Sequence, residues 1–217
     1  MKHLGKVETI GVAWMTMLDE IIQNGKKVLY TDNPGESASV TEITGTVLTV
    51  EKMSLPDPII ERYKVQEEYD WMVDNFTRVG AVKELYNENS YASRFYAYMN
   101  EKNQIDWLIA RLKENLHTRS ATLTTFEPLL DDKYIPCVSM IDFMVEEDRL
   151  DLYVYCRSLD FGCKAYINMV MLYRLAEQVA DEVGVPVGEL NLIVKSAHVY
   201  DRDREKVDRI LKDYHAS

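Results

Sequence analysis

The chain predicts an α+β fold, a mixed β-sheet packed with helices, and three observations carry that prediction. Alternating, β-branched segments recur along the sequence, and amphipathic helical patterns stand between them. The 217 residues, 47% of them apolar, suffice for one sizeable core and are short for two, so a single domain over residues 1–217 is expected.

Taken in order, Ile10 to Gln23 places Val12, Met15, Leu18, Ile21 and Ile22 at helical spacing, and Gly25 is positioned to end that helix. Asp32, Asn33, Pro34 and Gly35 predict a polar turn. Ser39 to Val50 alternates and is rich in β-branched residues, which predicts a strand; Pro56 and Pro58 then break the pattern. Glu61 to Phe76 and Ala81 to Tyr86 read as weakly patterned helices. Asn103 is placed to cap a clearer one that carries Ile105, Leu108, Ile109 and Leu112 on one face and ends near His117. Residues 119–126, 137–145 and 150–156 alternate as strands, the last two forming a hairpin across the acidic turn Glu146 to Asp148. Tyr166 to Val183 is the most apolar helix, closed by Gly184; Leu190 to Val194 follows as a short strand and Arg202 to Leu211 as a last helix.

Composition excludes several classes of function. With 25 Lys plus Arg against 36 Asp plus Glu, the net charge of -11 opposes a polyanion surface, so no nucleic-acid partner is expected. No stretch approaches the roughly 18 to 20 apolar residues of a membrane span, and Leu4 to Thr9 lacks an apolar signal core. A soluble, cytoplasmic protein without a membrane partner is expected. Cys137, Cys156 and Cys163 cannot all pair and match no zinc spacing, so neither disulfides nor metal are expected. An anionic substrate would then need a local arginine pocket.

The chemistry-bearing residues follow one another between Ile135 and Tyr200. Cys137 comes after Pro136, whose φ is fixed, and just before a strand, so its sulfur can project at a strand end. For any single cysteine a buried structural role is commoner, and Cys156 and Cys163 are read that way. Arg157 and Ser158 offer a guanidinium fork plus a hydroxyl, the donor set that grips a phosphate monoester; from spacing alone, a pair between Arg157 and Asp160 is the favoured reading. Asn168 heads the apolar helix, where asparagine often makes local backbone bonds. His198 and Tyr200 alternate, so both can face one side of a strand.

Read together, Pro136-Cys137, Arg157-Ser158-Leu159-Asp160 about twenty residues on, Asn168, and Ala197-His198-Val199-Tyr200 resemble the thymidylate synthases and the related pyrimidine nucleotide hydroxymethylases. The likeness reaches back to Thr118-Arg119-Ser120 and more faintly to Tyr91, and the short chain looks most like the compact archaeal-type members. The resemblance implies a thymidylate synthase-like fold whose sheets pack back to back in a homodimer with shared active sites. It also implies two small-molecule partners, a pyrimidine nucleoside monophosphate and a reduced folate, 5,10-methylenetetrahydrofolate. By the same resemblance Cys137 adds as a thiolate to C6 of the base, and C5 then attacks the one-carbon unit. Arg157 and Ser158 would bind phosphate, with Arg157 also beside the thiolate. Arg119 would reach the neighbouring subunit's phosphate site, Asn168 would read the base, Asp160 would order the reacting groups, and His198 and Tyr200 would bind the sugar.

Departures from the family pattern accompany the match. Ser120 stands where a second arginine is usual, which removes a contact commonly worth ~1.5 to 3 kcal/mol. Val138 stands where many members have histidine after the nucleophile. The chain stops at Ser217 without the long C-terminal extension that closes over folate in bacterial and eukaryotic members, which leaves both methylation and hydroxymethylation open. The family's proton-relaying glutamate has Glu61, Glu67 and Glu68 as candidates, each also readable as a solvated helix-face charge. The expected activity is conversion of dUMP to dTMP; the alternatives are a dUMP, dCMP or CMP 5-hydroxymethylase and a nucleotide-binding regulator without turnover.

Overall fold

A computed structural model of the chain describes residues 1–33, 36–132 and 134–217. The strands are β1 (Lys2–Val7), β2 (Lys26–Asn33), β3 (Glu36–Val50), β4 (Ala81–Val82), β5 (Glu88–Asn89), β6 (Thr122–Thr124), β7 (Val138–Glu146), β8 (Arg149–Cys156), β9 (Leu159–Asp160) and β10 (Val187–Tyr200). The helices are α1 (Ile10–Asn24), α2 (Pro58–Tyr63), α3 (Gln66–Thr77), α4 (Tyr91–Tyr96), α5 (Gln104–Glu114), α6 (Ala165–Val183) and α7 (Arg204–Ala216).

One mixed sheet runs β1-β3-β10-β8-β7-β6, with β2 added beside β3 and β9 beside β10. β10 is its spine, antiparallel to β3 and parallel to both β8 and β9. Alternation decides which face is covered. Leu48, Leu152, Val154, Leu190, Leu192 and Val194 are buried on one side against α1 and α6. Their neighbours Val47, Tyr153, Tyr155, Asn191 and Ile193 are only half-buried. Leu108 of α5 and Leu172 of α6 are fully buried in the same core.

The long elements form where the sequence predicts them, with local reasons visible. Asn103 caps α5 by accepting from the N–H groups of Ile105 (3.0 Å) and Asp106 (3.2 Å). Gly184 ends α6 in the left-handed region at φ 79°. Gly25 ends α1 for a different reason: a Cβ there would lie 2.3 Å from the Ile21 carbonyl oxygen, so close approach rather than backbone handedness demands glycine. Glu147 and Asp148 both take positive φ between β7 and β8, the two-residue turn whose twist suits a hairpin.

Other expectations are corrected. The predicted helix at Ala81 to Tyr86 is β4 followed by one 3-10 turn, its end marked by Tyr86 in the left-handed region. The single helix expected from Glu61 to Phe76 is split into α2 and α3 at extended Lys64 and Val65. Pro56 and Pro58 lie beyond the end of β3 at Val50, as expected, and Pro58 begins α2, where the N–H that proline lacks would have had no intrahelical acceptor. β1, β2 and α4 carry too little periodicity to be seen; Asp32 and Asn33 of the expected turn lie within β2, and Pro34 and Gly35 lie outside the described residues. β6 keeps only three residues of the expected strand 119–126, whereas β10 extends the short strand through His198 to Tyr200.

Candidate active site

The site is assembled where the sheet is interrupted. β8 ends at Cys156 and pairing to β10 resumes with β9, so Arg157 and Ser158 leave the ladder between them. The Arg157 N–H donates to the Cys137 carbonyl at 2.9 Å, which brings the end of β8 against the loop before β7. The Arg157 side chain secures that loop: its Nε donates to the carbonyls of Ile135 (2.9 Å) and Pro136 (3.2 Å), and its Nη2 also reaches Ile135. Arg157 thus holds the nucleophile loop and does not pair with Asp160. Ser158, 6% exposed, donates to the Cys137 sulfur at 3.6 Å. Cys137 itself is only half-buried and carries its thiol at a strand end, as its position after Pro136 predicts.

Two phenols stand around the nucleophile loop, of which the sequence pointed faintly to Tyr91 and not to Tyr134. Tyr134 Oη lies 4.0 Å from Cys137 Sγ. Tyr91, noticed only faintly, accepts from the Val138 N–H at 2.9 Å. Burial, and then the charge of a neighbouring Cys137 thiolate, pushes both phenols upward from their ordinary range. The Tyr-Ile-Pro-Cys spacing carried the signal for Tyr134, but a tyrosine three residues from a cysteine is uninformative until the loop conformation is known.

The remaining residues line the adjoining strand pair and helix start. In the β9–β10 register His198 lies opposite Asp160, and the Phe161 N–H donates to the His198 carbonyl at 2.8 Å. Trp14 Nε1 donates to the Phe161 carbonyl at 2.8 Å and fixes the segment after Asp160. His198 meets Tyr200 edge-on with ring centroids 5.1 Å apart, so the two do share a face. The Asp160 carboxyl accepts from the Gly162 N–H at 3.0 Å, and burial, then the nearby Asp203, pushes it up to about 7.

Asn168 sits in the first turn of α6 and is 4% exposed. Its Nδ2 donates to the Lys164 carbonyl at 3.0 Å, while its Oδ1 is buried without a hydrogen-bond partner among the described residues. The local backbone bond expected for an ordinary helix-start asparagine is therefore present, but it leaves an acceptor that such a role would not bury alone.

Arg119 is not drawn into this group. It lies exposed ahead of the edge strand β6 and forms no hydrogen bond or ion pair among the described residues. Of the three glutamates, Glu61 pairs with Lys64 at 2.8 Å and Glu67 is exposed. Glu68 differs: Oε1 is 3.4 Å from Lys206 Nζ, and Oε2 is buried without a hydrogen bond among the described residues. Burial and the carboxylates of Asp160 and Glu68 push the Cys163 thiol up to about 12, which places Glu68 in the surroundings of the Asp160 loop. Cys156 is fully buried and raised further still, in keeping with its structural reading. Among the described residues no cluster of three or more His, Cys, Asp or Glu could hold a metal ion, and no helix is long and apolar enough to cross a membrane.

The family model for thymidylate synthase matches residues 48–216, a span that contains Cys137, Arg157, Ser158, Asp160, Asn168, His198 and Tyr200. The chain belongs to the thymidylate synthase family. Among its relatives, one from Methanococcoides burtonii is 30% identical over 97% of this chain and 95% of its own length. Another, from Methanosarcina barkeri, is 31% identical over 95% and 94%. Both bear the name "Putative thymidylate synthase", and their archaeal source agrees with the compact archaeal type expected. The fold is also that of thermostable thymidylate synthase A from Bacillus subtilis: the TM-score is 0.72 at 17% identity, covering 94% of this chain and 84% of that one. Membership in this family makes the chain a transferase acting on pyrimidine nucleotides at the level of its class.

Proposed function

We propose that this chain transfers a one-carbon unit from 5,10-methylenetetrahydrofolate to C5 of a pyrimidine nucleoside monophosphate, converting dUMP to dTMP through a covalent Cys137 adduct. The observation that carries this reading is the half-exposed Cys137 sulfur, contacted by Ser158 and Tyr134 on a loop pinned by Arg157. The sulfur adds to C6, C5 becomes nucleophilic, accepts the one-carbon unit and loses its proton, and the sulfur departs as the double bond reforms. The folate supplies the methylene and the hydride and leaves as dihydrofolate.

The lone acceptor of Asn168 supports uracil over cytosine. With Nδ2 held by Lys164, the amide presents Oδ1, which accepts from the N3–H that uracil has and cytosine lacks. Asp160 orders the reacting groups, His198 and Tyr200 hold the sugar, and Ser158 and Arg157 face the phosphate end. Arg119 serves the neighbouring subunit's phosphate in a cytoplasmic homodimer. For the folate, the Trp71 ring with Lys164 Nζ 4.1 Å above it offers an apolar face and a cation beside Asp160 and Asn168. Glu68 is the glutamate we assign to proton relay, because its Oε2 is buried with no hydrogen bond among the described residues.

Mass spectrometry of the products formed from dUMP, dCMP and CMP with methylenetetrahydrofolate tests the reading. A gain of CH2 on dUMP alone is expected. A gain of CH2O would establish hydroxymethylation, and absence of tritium release from C5-labelled nucleotides would leave only a binding protein.

A further inference from the structure

We propose that the Tyr134 phenol is a catalytic hydrogen-bond donor to the Cys137 sulfur, holding it in the thiolate form that attacks the base; this rests on the nucleophile reading above. Among the described residues two hydroxyls reach the sulfur, Tyr134 Oη at 4.0 Å and Ser158 Oγ at 3.6 Å. The residue that follows the nucleophile, Val138, is fully buried and brings no polar side chain, and its N–H is already given to Tyr91 Oη at 2.9 Å. The Arg157 guanidinium donates to the carbonyls of Ile135 and Pro136. Donation to the ionised form of a group favours that form, and a phenol is suited to it only while it keeps its own proton. Tyr134 does: the protein packed around it, and then the charge at Cys137, hold its phenol well above the ordinary range. It also lies in the same short loop as Cys137, whose carbonyls Arg157 immobilises, so the donor travels with the nucleophile.

Tyr134→Phe keeps the ring and removes the donor. Alkylation of Cys137 by iodoacetamide, counted at that residue by peptide mass mapping across pH, reads the thiolate directly. The expected result is labelling slower by about tenfold or more under mildly acidic conditions, as for loss of one hydrogen bond to a charged group, with rates converging in alkali. Tyr98→Phe, which removes an exposed phenol bonded to the Phe126 carbonyl, leaves the profile in place. Turnover falls in Tyr134→Phe while KM for the nucleotide is retained. A fluorinated tyrosine at position 134, close in shape and more acidic, shifts the labelling profile the opposite way, which separates donation from any loss of folding. Profiles that superimpose for wild type, Tyr134→Phe and the fluorinated protein overturn the proposal. Failure of dUMP to protect wild-type Cys137 from alkylation would instead overturn the nucleotide reading, and the effect of Tyr134 on the profile is measured independently of it.

Discussion

At the level of single residues, the site separates groups that do chemistry from groups that arrange it. Cys137→Ala is expected to abolish tritium release from C5-labelled dUMP while nucleotide binding, followed by calorimetry, persists. Asn168→Asp is expected to move the preference toward the cytosine nucleotide, because a carboxyl shared between the Lys164 carbonyl and the base can supply a proton where cytosine N3 needs one; product analysis with dCMP checks it. Asp160 links pH to stability. Its folded carboxyl is raised to about 7 from an ordinary value near 3.8, so between those values the folded state binds more protons than the unfolded chain. Stability contributed at this group is therefore full at low pH and lost as pH rises through about 7. Asp160→Asn retains an acceptor for the Gly162 N–H and removes the buried charge. It should be more resistant to urea than wild type at about pH 8, the difference shrinking toward about pH 5.

Several of these residues were legible because the resemblance to the family picked them out of otherwise uninformative surroundings: Cys137 after a proline and Arg157-Ser158 meet at the sulfur, and the alternating His198 and Tyr200 share a face. What the sequence could not show is partnership. Arg157 looked ready to pair with Asp160 three residues on, yet the interruption between β8 and β9 turns it back onto the Cys137 loop. Glu68 was indistinguishable from Glu61 and Glu67 until burial told them apart, since one carboxylate in a weakly patterned helix reads like the next.

Among elements, α4 and the segment from Thr125 to Asp131 depend on one buried ionic network. Arg94, 1% exposed, donates to both carboxylate oxygens of Asp131 at 2.7 and 2.8 Å and to the Thr125 carbonyl at 2.6 Å, with Glu127 3.4 Å away. Glu127 in turn accepts from Asn89 and from the Met99 N–H, both at 2.8 Å. Arg94→Leu would strand two buried carboxylates, so a loss of about 3 to 5 kcal/mol is expected in urea unfolding, accompanied by lower turnover as the Cys137 loop loosens. None of this was visible beforehand: α4 is six residues long, too short for a helical period to declare itself, and Arg94 looks like any surface arginine. By contrast α5, α6 and the β7–β8 hairpin were plain, because caps, a closing glycine and a turn of two acidic residues mark their ends.

For the whole molecule, the uncovered sheet face bears Tyr153, Tyr155 and Ile193 half-buried across the central strands, which suits the back-to-back homodimer proposed above. Sedimentation is expected to give a dimer. If Arg119 completes a neighbour's phosphate site, inactive Arg119→Ala and inactive Cys137→Ala proteins should regain part of their activity when subunits are mixed and exchanged, since one hybrid site then has both groups. Recovery no greater than the sum of the two separate preparations would sink the shared-site arrangement.

The long strand β10 has a further consequence. It begins beside β8, ends beside β9, and is bonded along most of its length to β3, so His198 and Tyr200 are the last residues of the most heavily paired segment in the sheet. Residues so placed open only when the sheet itself comes apart. Hydrogen exchange along Leu192 to Val199 should accordingly be as slow as global unfolding allows. Nucleotide affinity should persist through the denaturant range until the cooperative transition, and vanish with it instead of fading ahead.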